Sequence, residues 1–150
     1  MVDFDFRVSR VFPVGRLDRD SRGLLLLTND GDLAHTLMHP KHQKQKHYLV
    51  SVDKKITQDF INRLSRGVEI APGKITARCV VKLLEEKIFE ITLTEGRNRQ
   101  IRRMCEVLDF RVIDLVRFRI GPINLGELKP GKFRHLSPVE IAGLAKGNTD

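Results

Sequence analysis

The chain has 150 residues, of which 41% are hydrophobic and 31% charged, a composition that suits one domain with its own core and excludes a mainly disordered chain. Lys and Arg number 27 against 19 Asp and Glu, so the formal net charge is +8, which favours a polyanionic partner. No apolar run approaches the roughly 20 residues needed to span a bilayer, and the first ten residues do not resemble a secretory signal.

The predicted elements follow from apolar periodicity and from turn residues. The first part of the chain predicts a short strand or loose segment at 3–7, a loop at 15–18, a buried strand at 23–28, a turn at 29–31, a helix to about 38 and an exposed loop at 39–46. The middle part predicts a strand at 48–52, a helix at 57–65, a turn at 71–73 and a strand hairpin at 75–84 and 88–94. The last part predicts a helix at about 97–108, a strand at 111–120 and a last helix from 137. Asp30, Thr57 and Ser137 are expected helix caps, and Ser137 with Glu140 forms a capping box. Strands outnumber helices without strict alternation, so we expect an α+β domain with a mixed, largely antiparallel sheet and flanking helices.

Four arginines fall within seven residues at the start of the helix predicted at 97–108. Cations at a helix N-terminus oppose its dipole, so the cluster calls for an anionic partner. At 100° per residue, Arg99 and Arg103 lie opposite the apolar stripe and suit phosphates. Arg102 lies on the flank of that stripe, partly sheltered, and suits a carboxylate in a cleft. A solvated basic face is the alternative interpretation of the same cluster.

A loop rich in Gly, Asp and Arg leads into the apolar strand at 23–28. Within it Asp18 stands between Arg16 and Arg19, and nearby cations keep a carboxylate ionised, as a nucleophile or base requires. Asp20 is the rival candidate in the same loop. A turn held by Asx-type hydrogen bonds would explain these residue types equally well.

Cofactor and metal signals are weak. Four histidines lie between residues 35 and 47, but no cysteine is near them, so we expect no metal site. There is no phosphate-cradling glycine motif, so no nucleotide cofactor is expected. The two cysteines, Cys79 and Cys105, are too few for a disulfide scaffold and indicate reduced thiols in a cytoplasmic protein.

Five segments in this order resemble the RsuA-like group of ribosomal RNA pseudouridine synthases. They are GRLDRDSRGLLLLTNDGDL at 15–33, KHYLV at 46–50, EGRNRQIRRM at 95–104, DLVRFRIGP at 114–122 and LGELKPGKFRHL at 125–136. The RNRQIRRM form is nearer to members that act on large-subunit RNA. The resemblance implies the pseudouridine synthase fold and an isomerase that converts one uridine of ribosomal RNA to pseudouridine, as a monomer and without cofactor or metal.

The resemblance also implies roles for ten residues. Asp18 falls on the essential aspartate, Tyr48 on the tyrosine that packs against the base, and Arg102 on the basic residue that pairs with that aspartate. The expected pocket residues are Leu17 and Leu115. Arg16 falls on the residue that fills the gap left by the extruded nucleotide. The remaining expected RNA contacts are Lys46, Arg97, Arg99 and Arg103.

One departure from the family concerns the N-terminus, because only thirteen residues precede Val14 and the usual Lys-Pro strand is absent. We therefore expect an N-terminal remnant or substitute strand at 1–13, a catalytic domain at 14–143 and a polar tail at 144–150. Two other functions stay open: a catalytically silent RNA-binding or ribosome-associated module, and a hydrolase that uses Asp18 and Asp20 as a carboxylate pair.

Overall fold

The computed structural model describes residues 10–146 of the chain. The expected strand at 3–7 and residues 147–150 of the expected tail lie outside this range. The strands are β1 (Phe12–Val14), β2 (Arg22–Gly23), β3 (Leu26–Thr28), β4 (Lys46–Val52), β5 (Glu69–Ala71), β6 (Lys74–Ile75), β7 (Val80–Glu85), β8 (Ile88–Leu93), β9 (Val112–Ile120) and β10 (Ile123–Asn124). The helices are α1 (Gly31–Met38), α2 (Gln58–Arg66), α3 (Gln100–Val107) and α4 (Pro138–Ala145), and a 3-10 turn covers Pro40–His42.

A six-stranded sheet forms the centre of the fold. Its order is β10-β9-β4-β8-β7, and β2 pairs with β9 beside β10. All neighbours are antiparallel except β2 and β9, which run parallel. Two small hairpin-like pairs, β1 with β3 and β5 with β6, lie apart from this sheet. The predicted α+β class with a mixed, largely antiparallel sheet and flanking helices is confirmed.

The main core lies where helices α2 and α3 cover one face of the central sheet. Phe60 of α2 and Phe89 of β8 are buried, with ring centroids 5.5 Å apart in an edge-to-face arrangement. From α3, Met104 and Cys105 enter the same cluster with no exposed surface. This packing fixes α3 against the sheet and therefore fixes the position of the loop that precedes the helix.

The three predicted helix caps are confirmed. The side chain of Asp30 accepts a hydrogen bond from Leu33 N at 3.0 Å. Thr57 caps α2 in the same way, and Ser137 and Glu140 form the reciprocal capping box at the start of α4. Each cap satisfies backbone N–H groups that the first turn of a helix leaves without partners.

The apolar run at 23–28 is not the single buried strand that the sequence predicted. Gly23 belongs to β2, which pairs with β9, residues 24–25 belong to no strand, and Leu26–Thr28 form β3, which pairs with β1. Leu24 and Leu26 are buried in a second core cluster, whereas Leu25 and Leu27 are exposed. A continuous apolar run does not show which residues face the protein, because that depends on which strands pair with it.

Four other expectations about boundaries or exposure were wrong. The strand expected at 75–84 begins only at Val80, because residues 74–75 pair with β5. The helix expected from 97 begins at Gln100, so two of the four arginines precede it. Residues 39–46 are not all exposed loop, since Lys44 is buried and donates a hydrogen bond to the Lys146 carbonyl. Helix α4 continues to Ala145, and Leu144, assigned to the polar tail, is buried.

Candidate active site

A cleft of about 460 Å³ opens between the 14–18 loop, the face of the sheet formed by β4 and β9, and the 95–100 loop. Eight of the ten residues expected from the sequence line it: Arg16, Leu17, Asp18, Lys46, Tyr48, Arg97, Arg99 and Leu115. Arg102 and Arg103 do not line it. The structure therefore brings together residues that are up to 99 positions apart in the chain.

The loop that carries Asp18 is held at both ends by β9. The Ser21 amide donates to the Asp18 carbonyl at 2.9 Å, which closes a tight turn after the aspartate. Beyond the turn, Leu24 N donates to the Arg117 carbonyl at 2.7 Å. The Arg117 side chain returns the contact, donating from Nε to the Leu24 carbonyl at 2.9 Å and from Nη1 to the Arg16 carbonyl at 3.4 Å. The Arg117 side chain thus hydrogen-bonds to the backbone on both sides of Asp18 in the sequence, at Arg16 and at Leu24.

Gly23 is the closest point of this attachment. Its φ is +114°, and a Cβ atom there would lie 2.2 Å from the Arg117 carbonyl oxygen. Only glycine allows the two backbones to approach so closely in this conformation. The glycine therefore sets how near the Asp18 loop lies to the sheet.

Asp20, rather than Asp18, is the carboxylate that Arg99 and Arg102 contact. Arg99 forms two hydrogen bonds with it, both 2.9 Å long, and Arg102 Nε lies 3.4 Å from Asp20 Oδ1. Arg102 Nη2 also donates to the Asp20 carbonyl at 2.7 Å. The expected pairing of Arg102 with Asp18 is thus corrected, because the turn at 18–21 presents Asp20 to the helix. The Arg99 hydrogen bond lowers the pKa of Asp20 to about 2.

The sheltered position expected for Arg102 agrees with the structure, in which 9% of the residue is exposed. The position expected for Arg99 does not, because Arg99 precedes the first turn of α3 in a left-handed conformation with φ of 49°. From there its side chain reaches across to the Asp18 loop instead of lying on an outer helix face. The carboxylates of Asp20 and, more weakly, Asp18 raise the pKa of Arg99.

Two residues that the sequence did not single out hold the 95–100 loop. Glu95 Oε1 accepts hydrogen bonds from Ala77 N at 2.7 Å and from Gln100 Nε2 at 3.0 Å, and Glu95 Oε2 accepts from Arg97 Nε at 3.2 Å. Burial raises the pKa of Glu95, but these hydrogen bonds outweigh it and the net shift is downward. Gln100 Oε1 in turn accepts from Arg97 N at 3.1 Å. The loop is therefore ordered before any partner binds.

The floor of the cleft comes from one face of the sheet. Tyr48 of β4 lies opposite Ile91 of β8 on one side and Arg117 of β9 on the other. Because side chains alternate along a strand, Lys46 and Leu115 share this face with Tyr48 and Arg117. This alternation, two residues on from Leu115, is the signal in the sequence that could have identified Arg117.

The basic rim is uneven. Arg16, Arg97 and Arg99 are exposed along the cleft, whereas Arg103 is half-buried outside it, with Nη1 3.5 Å from the Asn98 carbonyl.

Within residues 10–146, no group of three His, Cys, Asp or Glu side chains is placed to hold a metal ion. No helix in that range is long and apolar enough to cross a membrane.

The cleft combines the loop that carries Asp18, Tyr48 on its floor and exposed arginines along its rim, all placed on an α+β sheet. This arrangement suits an enzyme that acts on a polyanion such as RNA. The family model described as RNA pseudouridylate synthase matches residues 3–107, and the chain belongs to that family. Its RsuA-like character, expected from the five segments, is confirmed.

Two curated relatives are similar over most of the chain. The dual-specificity RNA pseudouridine synthase RluF of Escherichia coli strain K12 is 46% identical over 146 residues, which cover 97% of this chain and 50% of the relative. The ribosomal large subunit pseudouridine synthase B of Bacillus subtilis is 43% identical over 141 residues, 90% of this chain and 57% of the relative. The chain thus spans about half the length of these relatives.

Solved structures agree in fold. A crystal structure of a pseudouridylate synthase superposes with a TM-score of 0.89 at 33% identity, covering 94% of this chain and 63% of that one. A chain from the archaeal box H/ACA sRNP Nop10-Cbf5 complex superposes with a TM-score of 0.54 at 16% identity, which shows a shared fold alone.

Proposed function

We propose that the chain isomerises a uridine of ribosomal RNA to pseudouridine, with Asp18 as the catalytic carboxylate. The observation that carries the proposal is the position of Asp18. It lines the cleft with Tyr48, and its carboxylate has no hydrogen-bond or ion-pair partner among residues 10–146. A carboxylate that structural contacts leave free is available to the sugar of a bound nucleotide. The names of the two curated relatives support RNA as substrate, and that of the B. subtilis protein supports large-subunit RNA.

The reaction needs three things from the protein. Asp18 attacks the anomeric carbon of the ribose or removes a ribose proton as the bond from uracil N1 to C1′ breaks. Tyr48 packs against the base while it turns, and the C5–C1′ bond then forms with loss of the C5 proton and gain of a proton at N1. Arg102 positions the catalytic loop through the Asp20 carbonyl. Atoms and electrons balance within the nucleotide, so the proposal includes no cofactor or metal.

Binding depends on the rim. The target uridine must leave its stack to reach the cleft floor, which costs a few kcal/mol, and Arg16 at the mouth is placed to fill the gap. Arg97 and Arg99 are exposed on the rim of the cleft, where the RNA backbone would pass. RNA shape then selects the site, while these contacts supply affinity that falls with salt. Monomeric action in the cytoplasm belongs to the same proposal.

The geometry disfavours the hydrolase alternative. Asp20 would have to serve as a general acid, but two arginines hold it and its pKa is about 2. A carboxyl that is ionised at every physiological pH cannot donate a proton to a leaving group.

The test is tritium release from ribosomal RNA labelled at uracil C5, with wild type beside Asp18→Asn. We expect release by wild type only, with RNA affinity largely unchanged in the variant. The matched control is Asp59→Asn, on the exposed side of α2 outside the cleft, which should behave as wild type. Release by Asp18→Asn would refute the role of Asp18. RNA binding without release by wild type would instead support the silent module.

A further inference from the structure

Arg117 has more hydrogen-bonding capacity than the fold uses. The residue is 4% exposed, and its Nε and Nη1 clasp the two ends of the catalytic loop. Its Nη2 is buried and has no partner within the described part of the chain. A buried donor of a charged group without an acceptor is costly, so native structures rarely leave one. Because Arg117 lines the cleft, a bound ligand is the natural acceptor.

Lys46 is a second, half-buried cation on the floor of the same cleft. It lines the cleft two residues before Tyr48 on the same face of β4, and Gly96 lies beside its Nζ. Burial and then the charge of Arg117 lower the pKa of Lys46. Glu95, the carboxylate next to Gly96 in the chain, pairs with Arg97 and not with this Nζ. Two sheltered cations therefore share the floor of one cleft.

The carboxylates of the cleft do not neutralise this pair. Glu95 is occupied by Ala77, Arg97 and Gln100. Asp18 forms no ion pair with either cation. Sheltered like charges without a carboxylate between them repel each other, and an oxygen-rich anion binding there removes that repulsion.

The sheet register shows which part of a nucleotide would meet these donors. Tyr48 lies directly opposite Arg117, and directly opposed Cβ atoms are about 5 Å apart. A pyrimidine packed on the Tyr48 ring would turn its edge towards Arg117 on one side and Lys46 along the strand. The phosphates of the nucleotide would remain nearer the exposed rim.

We propose that Arg117 Nη2 and Lys46 Nζ donate to the carbonyl oxygens of the uracil ring and stabilise the negative charge that the base carries while it is detached from ribose. When the N1–C1′ bond breaks, its electron pair goes to N1 and is shared with O2 and O4. Donors fixed beside those oxygens interact more strongly with the anion than with neutral uridine, so they lower the barrier. This inference rests on the proposed function and adds to it two residues that contact the reacting base.

The experiment is a double-mutant cycle between protein and RNA. The substrate is a short RNA hairpin containing the uridine identified by tritium release, labelled at C5, with either uridine, 2-thiouridine or 4-thiouridine at that position. Sulfur accepts hydrogen bonds weakly, so each thio-RNA removes one contact at a known atom. Single-turnover release is measured for wild type, Arg117→Gln and Lys46→Gln. Arg119→Gln, exposed on the same strand outside the cleft, is the matched control.

We expect one thio-RNA to be slowed about tenfold with wild type and Arg119→Gln, as befits a lost charged hydrogen bond. With the variant that lacks the donor to that oxygen, Arg117→Gln or Lys46→Gln, the same RNA should be slowed less than about twofold, because the contact is already absent. RNA affinity should change little in either variant. Lys46→Gln keeps the test decisive if Arg117→Gln weakens the loop, since Lys46 holds no loop residue.

Equal thio effects in all four proteins would overturn the inference and leave Arg117 as a structural clasp. RNAs with a methylphosphonate on either side of the target uridine test the other source of anionic oxygen. If those RNAs, and not the thio-RNAs, lose their effect in the variants, the pair binds a phosphate and the inference is again overturned. Absence of release by wild type from unmodified RNA would refute the proposed function itself.

Discussion

Replacing Gly23 with alanine should detach the catalytic loop from the sheet. An L-residue held near the Gly23 φ of +114° costs about 1–3 kcal/mol. The new Cβ would also meet the Arg117 carbonyl oxygen at 2.2 Å. That oxygen cannot retreat, because Arg117 pairs with Tyr48 on its other side. Strand β2 must move instead, and losing the 2.7 Å bond from Leu24 N adds roughly 1 kcal/mol. The total is about 2–4 kcal/mol.

Urea unfolding measures this loss. With a slope of about 2 kcal/mol per molar urea, the midpoint should fall by about 1–2 M. The matched control is Gly73→Ala, where φ is also positive at +75° but no atom lies within 4 Å of the added Cβ. The control should show strain without displacement and keep tritium release, whereas Gly23→Ala should lose release even without urea. Equal midpoint shifts in the two variants, with activity retained in Gly23→Ala, would refute the close-approach argument.

Three further outcomes follow from the charges and thiols. The pKa of Asp20 is about 2 in the folded chain against an ordinary 3.8, so its contribution to stability is present above about pH 4 and is lost as the pH falls towards 2. The difference in melting temperature between wild type and Asp20→Ala should therefore shrink over that interval. A constant difference would contradict the pairing of Asp20 with the arginines. Arg103→Ala should reduce the slope of log affinity for RNA against log salt by roughly one unit, while an unchanged slope would place Arg103 away from phosphate. Burial raises the pKa of Cys79 to about 11 and that of Cys105 to about 12. Iodoacetamide at pH 8 should therefore label both thiols far faster in urea than in the folded chain. Rapid labelling of the folded chain would contradict their burial.

Local features were predictable from the sequence because their causes are local. The Asp30 cap and the capping box of Ser137 and Glu140 each join residues three apart, so the pattern of residue types is enough. The sheltered flank of Arg102 followed from helix geometry in the same way. Boundaries failed where a competing partner was distant, as at residues 74–75, which pair with β5 and not with β8.

The composition of the cleft was largely predictable, but its contacts were not. The resemblance to the RsuA-like group placed Asp18, Tyr48 and the arginines of the 95–104 segment in one candidate site. Which carboxylate those arginines contact depends on the turn at 18–21, and that turn is oriented by its attachment to β9. Asp20 and Arg99 are 79 residues apart, a separation over which sequence pattern carries no directional information.

The sequence alone determined the α+β class, the helix caps, the basic character and the aspartate loop, because propensity, periodicity and charge act over a few residues. Tertiary structure decided that Asp20 holds Arg99 and Arg102, that the Asp18 carboxylate has no partner among residues 10–146, and that Arg117 and Lys46 share the cleft floor. These facts depend on the parallel pairing of β2 with β9 and on the register of β4 against β9. A shift of one residue in either register would turn the same side chains to the opposite face of the sheet.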